Sequence, residues 1–151
     1  MNIRRQRAAN HARPWLPVVH WLALLALCAA YLQGGIDKLL DFPAAVAEMR
    51  HFGLLPPPLF AVAVIALELI GCTLILCTGG RLRRYAALAL AAFTLAANVL
   101  ANAFWNAPPA QQQMIANGFF EHVGLAGGFV LVALLDSGGR WSSCDTGRAS
   151  P

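Results

Sequence analysis

Four stretches of this chain are apolar for long enough to cross a bilayer, and they constrain its fold more than any other feature. The hydrocarbon core of a membrane takes roughly 17–25 residues of helix. The runs cover Trp15 to about Gly35, Leu59–Thr78, Leu82 or Tyr85 to about Trp105, and Met114 or Ile115 to Leu135. Lipid offers no partner to a bare backbone amide, so each run is expected to be a helix. Only 12% of the residues are charged, against about 25% in soluble domains, which argues against a soluble fold. The expected fold class is all-α: a polytopic membrane four-helix bundle.

The arginines give the orientation. Arg4, Arg5, Arg7 and Arg13 precede the first run, Arg81, Arg83 and Arg84 separate the second from the third, and Arg140 and Arg148 follow the last. Between the first two runs Lys38 and Arg50 face Asp37, Asp41 and Glu48, while "NAPPAQQQ" carries no charge. Positive residues mark cytoplasmic loops, so both termini are expected in the cytoplasm. Residues 1–14 form a basic cytoplasmic N-terminus, 15–135 the membrane domain, and 136–151 a cytoplasmic tail expected to be disordered. The basic surplus is then topology. With no basic cluster interleaved with aromatics, no nucleic-acid partner is expected.

Two processing signals are set aside. Arg4-Arg5 resembles a twin-arginine leader, but the run behind it is too long for a signal core. "LALC", Leu25–Cys28, has Leu27 where a lipoprotein cleavage box wants a small residue. The cysteines show no Cys-x-x-Cys or metal spacing. Cys28, Cys72 and Cys77 read as small packing residues, and no metal site is expected.

"DFPAAVAEMRHFGLLPPP" follows the first run. Asp41 or Phe42 can cap a helix, and Pro43 suits its first turn. Phe42, Val46 and Met49 share a face, Gly53 is a stop, and Pro56–Pro58 prevent continuation. A short amphipathic helix of about three turns is expected on the outer face of the bundle.

Small residues and hydrogen-bonding groups mark contacting faces in membranes. The stripes read Ala23, Ala26, Ala30 and Gly34; Ala61, Glu68, Gly71 and Cys72; Ala87, Ala91, Thr94, Asn98 and Ala101; and Asn117, Glu121, Gly124 and Gly128. Gly34, Gly71, Gly124 and Gly128 are the expected helix-packing glycines.

The polar residues of the spans fall at similar depths. At about 1.5 Å per residue, Glu68 lies about 14 Å inside Leu59, and Asn98, Glu121 and His122 lie about 9–11 Å inside their own outer ends. Lys38, at the outer end of the first span, can extend about 6 Å toward a partner. Lys38, Glu68, Asn98, Glu121 and His122 therefore form the candidate polar pocket. One reading is structural, with a lysine–glutamate ion pair and an asparagine clasp. The other is a ligand or proton site, since intramembrane ionisable groups are functional candidates. A quinone or similar redox carrier is the candidate cofactor. No nucleophile, metal cluster or dinucleotide motif marks an enzyme acting alone.

"GGIDKLLDFP", "MRHFGL", "ELIGC", an arginine-bearing loop, "NAFW" and "GLAGGFVLVA" follow one another from about Leu32 to Leu135. In this order they resemble the DoxX family of small bacterial membrane proteins. The resemblance implies a four-helix protein of the bacterial inner membrane, with Lys38 and Glu68 matching the family's lysine and glutamate. It also implies a link to redox chemistry, since some relatives are membrane subunits of thiosulfate:quinone oxidoreductase. Cys72 stands where a second glycine is common, and Glu121-His122 where many members have Lys-Asn. The expected function is a redox-associated accessory or anchoring subunit. Its partners would be the lipid bilayer and a membrane-associated oxidoreductase, and an oligomer is compatible with the sequence. A non-enzymatic scaffold is the alternative, and a small transporter ranks third.

Overall fold

The computed structural model describes residues 15–136. The basic N-terminus, residues 1–14, and residues 137–151 of the expected tail lie outside the described residues, while Asp136, expected to open the tail, instead ends the last helix. Helix α1 is Leu16–Leu40, α2 Phe42–His51, α3 Pro57–Cys77, α4 Gly80–Ala101 and α5 Pro109–Asp136, with one 3-10 turn at Phe104–Asn106. Four of these, α1, α3, α4 and α5, are long and apolar enough to cross a membrane. The chain is therefore an all-α integral membrane protein.

Two spans run longer than the apolar pattern. Helix α1 does not stop near Gly35 but continues to Leu40, because backbone hydrogen bonds carry a helix past glycine when close packing supports it. Helix α5 starts at Pro109, ahead of Ile115, through the exposed Gln111–Gln113. Glutamine favours helix whether or not lipid surrounds it, and proline suits a first turn.

One residue turns α1 into α2. The Asp41 amide donates to Asp37 O at 2.9 Å, closing α1, while Asp41 Oδ1 accepts from the Ala44 amide at 3.0 Å, opening α2. Gly53, at φ +71°, ends that short helix in a conformation that favours glycine. Helix α2 buries Ala45 and Met49 against Ala61 of α3, with Phe42 and Val46 at the margin. It is the amphipathic piece expected from the sequence.

Helix α3 packs between α1 and α4, and α4 packs between α3 and α5. The core joins Leu24, Cys28 and Tyr31 of α1 to Cys72 and Ile75 of α3, Leu90 of α4 and Phe129 of α5. Tyr31 and Phe129 meet edge to face at 5.2 Å, linking α1 to α5. Cys28 and Cys72 are fully buried, with Cys72 Sγ 3.8 Å from Cys28 O, whereas Cys77 is exposed.

The inward faces of α3 and α4 carry most of the expected stripes: Ala61, Glu68, Gly71 and Cys72, then Ala87, Ala91, Thr94 and Asn98 are buried, while Ala101 is exposed. The outer two helices differ. Helix α1 turns Leu24, Cys28, Tyr31 and Gly35 inward and leaves Ala23, Ala26 and Ala30 exposed. Helix α5 buries Ala126, Phe129, Ala133 and Asp136 and leaves Asn117, Glu121 and Gly124 exposed. Lipid is as apolar as a protein core, so a small apolar residue can face either.

The glycines separate in the same way. At Gly71 a Cβ would lie 3.1 Å from Leu90, and at Gly128 3.0 Å from Leu27, so both sit at close helix contacts. Around Gly124 nothing lies within 4 Å. A Cβ at Gly34 would stand 3.3 Å from Lys38 Nζ, so this glycine makes room for a side chain rather than a helix. The tightest position is Gly35, where a Cβ would stand 2.8 Å from Leu69 Cδ2 and 3.3 Å from Glu68 Cβ. Gly35→Ala is expected to lower stability by about 1–3 kcal/mol through overpacking, read as the midpoint shift of unfolding in detergent; Gly124→Ala serves as the neutral comparison.

Candidate functional site

Five helices surround a cavity of about 430 Å³ at the α2 end of the molecule. Its walls are apolar, with Phe60, Val64, Phe93 and Leu125 among them. Its polar groups are few. Lys38, Glu48, Glu68 and His122 contribute charge or ring nitrogen, and Tyr31 and Thr94 contribute hydroxyls.

Lys38 lies in the last turn of α1 and reaches inward to Glu68, near the middle of α3. Its Nζ stands 3.3 Å from each carboxylate oxygen. A tight ammonium–carboxylate bond is about 2.7–2.9 Å, so the grip is slack and shared. The Glu68 side chain is 7% exposed and that of Lys38 19%. The carboxylate is thus held away from solvent while the ammonium keeps an open side toward the cavity. Gly34, one turn before Lys38, leaves the space in which the pair forms.

His122 approaches from α5. Its Nδ1 is 2.7 Å from the Gly118 carbonyl oxygen. A carbonyl only accepts, so Nδ1 carries the proton and donates. In the neutral ring this leaves Nε2 as a proton acceptor. The Thr94 hydroxyl lies 2.6 Å from Leu90 O and also 2.6 Å from Tyr31 OH. Its single proton goes to the carbonyl, so Tyr31 donates to Thr94 Oγ1. That bond ties α1 to α4 along the cavity wall.

The other two sequence candidates stand elsewhere. Asn98 is buried beside the cavity but does not line it. Its amide donates to Phe119 O at 2.9 Å, and its Oδ1 accepts from the Asn102 amide at 2.9 Å, clasping α4 to α5. Glu121 faces outward and is exposed, a third of a turn from His122. The fold therefore brings together Lys38, Glu68 and His122, and leaves out Asn98 and Glu121.

A second polar cluster lies at the other end, about 16 Å along α4 from Thr94. Arg83 and Asp136 form a buried ion pair there, Nη1 to Oδ1 at 3.5 Å. With His20 they line a second cavity of about 660 Å³ between α1 and α5. Arg83 belongs to a buried helical turn and not to an open loop, while Arg81 and Arg84 stay exposed. Opposite charges at the same ends of the third and fourth spans were the available signal. Tyr31 and Gly35 could have been found as the continuation, at helical spacing, of Leu24 and Cys28.

A family model described as DoxX matches residues 21–103, more than half of the chain. The match spans Lys38, Glu68 and Asn98 and ends before α5, so His122 comes from outside it. Neither a curated protein nor a solved structure matches the chain.

Proposed function

Because the chain belongs to the DoxX family, we propose that it is a redox-associated accessory subunit of the bacterial inner membrane that holds a quinone-type carrier between its spans. The single observation that carries this reading is the 430 Å³ cavity: apolar walls with Lys38, Glu68 and His122 among its few polar groups. Pockets of such a size, mostly apolar with a few polar groups to fix orientation, suit a small amphipathic ligand.

A quinone bound there would take up two electrons, supplied by a partner oxidoreductase, and two protons. Lys38 has three N–H donors, of which two directions are taken by Glu68. The remaining donor can orient a carbonyl oxygen. His122 Nε2 can accept a proton from a hydroxyl on the reverse step. Glu68 holds the ammonium in place and balances its charge. The bundle interior keeps bulk water from the reduced ring.

Both termini and the Arg81/Arg84 turn are assigned to the cytoplasm, which puts the cavity in the outer half of the bilayer. The exposure of those two arginines supports this orientation.

Protein purified from membranes is expected to retain quinone and to gain thermal stability with a short-chain ubiquinone analogue. Ligand at a hundred times its dissociation constant contributes about 2.7 kcal/mol. Glu68→Gln and His122→Leu should abolish the shift. Absence of both extracted quinone and a shift in the intact protein would refute the reading.

A further inference from the structure

The cavity that holds Lys38 and Glu68 is not walled in on every side. Tyr31 and Thr94 line it and are buried, as enclosed wall residues are. Phe60 of α3 and Ala96, Leu100 and Ala101 of α4 line it too, yet all four are exposed, Leu100 by half. A side chain faces both a cavity and the outside of a bundle only at an opening. These four belong to the cavity's end of two neighbouring spans. Ala101 ends α4, and Phe93, also on the cavity wall, stands about 12 Å further along the helix. The opening therefore runs beside a span, where the surroundings are lipid chains.

Other seams at this level are sealed. Helix α1 closes on α3 at Gly35, where a Cβ would stand 2.8 Å from Leu69 Cδ2. Helix α4 is clasped to α5 by the Asn98 bond to Phe119 O, and Phe104 and Trp105 stack on the Phe119 ring at 5.5 and 5.8 Å. Between α1 and α5 the exposed wall residue is Ala30, and Tyr31 on Phe129 bridges that seam. Further along α3 and α4 the opening ends, since a Cβ at Gly71 would lie 3.1 Å from Leu90. Alanine at 97 and 101 keeps the opening wide, and a large side chain at either position would stand in it.

We propose that the cavity opens sideways into the bilayer between α3 and α4, and that its ligand keeps a polar head beside Lys38 and His122 while an apolar tail leaves through this opening. The head rests on the quinone-type reading; the opening does not. Phe60, Phe93 and Leu100 would flank the tail. Lipid is as apolar as this passage, so the tail gains little by lying there. What the opening supplies is room, and blocking it discriminates by steric clash.

The test compares two quinones that differ in their tails, ubiquinone-0 with none and decylubiquinone with ten carbons. Each is titrated against the full chain in phosphatidylethanolamine/phosphatidylglycerol nanodiscs and followed by thermal midpoint. Both should bind the wild type. Ala97→Trp and, at the outer edge, Ala101→Trp should each weaken decylubiquinone at least tenfold and leave ubiquinone-0 within twofold. Ala30→Trp, on the α1–α5 seam, should change neither. Equal weakening of both quinones, no weakening of either, or a decylubiquinone-selective loss in Ala30→Trp would overturn the proposal. Failure of both quinones to bind the wild type would refute the carrier reading, and the opening is then read by a phospholipid with a diazirine in its acyl chain. Tyr31 and Thr94, buried but on the cavity wall, should be labelled in the wild type and spared in Ala97→Trp. Leu90 and Phe129, fully buried in the core, should stay unlabelled. A wild type in which Tyr31 and Thr94 stay unlabelled would sink the opening itself.

Discussion

Glu68→Leu alone is expected to lower stability by about 3 kcal/mol, and the double variant Lys38→Met/Glu68→Leu to recover most of that loss. The single change strands an ammonium whose side chain is mostly enclosed, 19% exposed, at the mouth of an apolar cavity. Removing both charges strands nothing. The 3.3 Å contacts are long for an ion pair, so their mutual attraction offsets little more than the loss of water. Unfolding in detergent, followed by helix signal or by steric trapping, reads both variants. If the double variant is as unstable as the single, the pair is a net stabilising clasp and the attraction exceeds the loss of water. The same double variant should bind no quinone, which separates the role of the pair in the fold from its role in the cavity.

Arg83→Met is expected to have a larger effect, about 3–5 kcal/mol. It leaves Asp136 as a buried, unpaired carboxylate among Leu24, Leu131 and Leu135. The native pair is itself incomplete: one contact at 3.5 Å, with Arg83 Nε and Asp136 Oδ2 finding no hydrogen-bond partner among the described residues. Each unsatisfied buried polar group costs about 1–3 kcal/mol. Arg83→Met/Asp136→Leu should therefore equal or exceed the wild type in stability. The measurement is the same unfolding midpoint, and a double variant weaker than Arg83→Met would contradict it. Changing Arg83 should leave the membrane orientation intact, because its charge is already neutralised, whereas removing Arg81 and Arg84 should not.

Much of the fold could be read from the residues because lipid admits so few alternatives. The spans followed from run length, and α2 from a capping aspartate, a proline and a glycine in their proper places. The inward faces of α3 and α4 were legible too. These helices have neighbours on two sides, and 33% and 28% of their apolar windows are buried. In α1 and α5 the share is 17%, and there most stripe residues are exposed, although Gly128 packs on Leu27 and Ala30 and Gly34 line the cavity. Each of these helices buries four residues, and large ones such as Leu24 and Phe129 fill the contact as well as alanine. Arginine-rich composition likewise placed Arg83 in a loop, since nothing local in "GGRLRR" says which of three arginines turns toward Asp136.

The candidate site divides along the same line. That Lys38 and Glu68 could meet was legible, because both lie on spans whose depths are set by the apolar boundary. That His122 joins them while Glu121, its neighbour in the chain, faces away depends on the rotation of α5 about its own axis. Hydropathy is blind to that rotation: a helix surrounded by lipid and protein is apolar on every side. Sequence alone therefore determines four helices long and apolar enough to cross a membrane, and where along each of them the polar groups fall. The direction each group faces is decided by the packing of Gly35 on Leu69, Tyr31 on Thr94 and Arg83 on Asp136, contacts that exist only once the helices have come together.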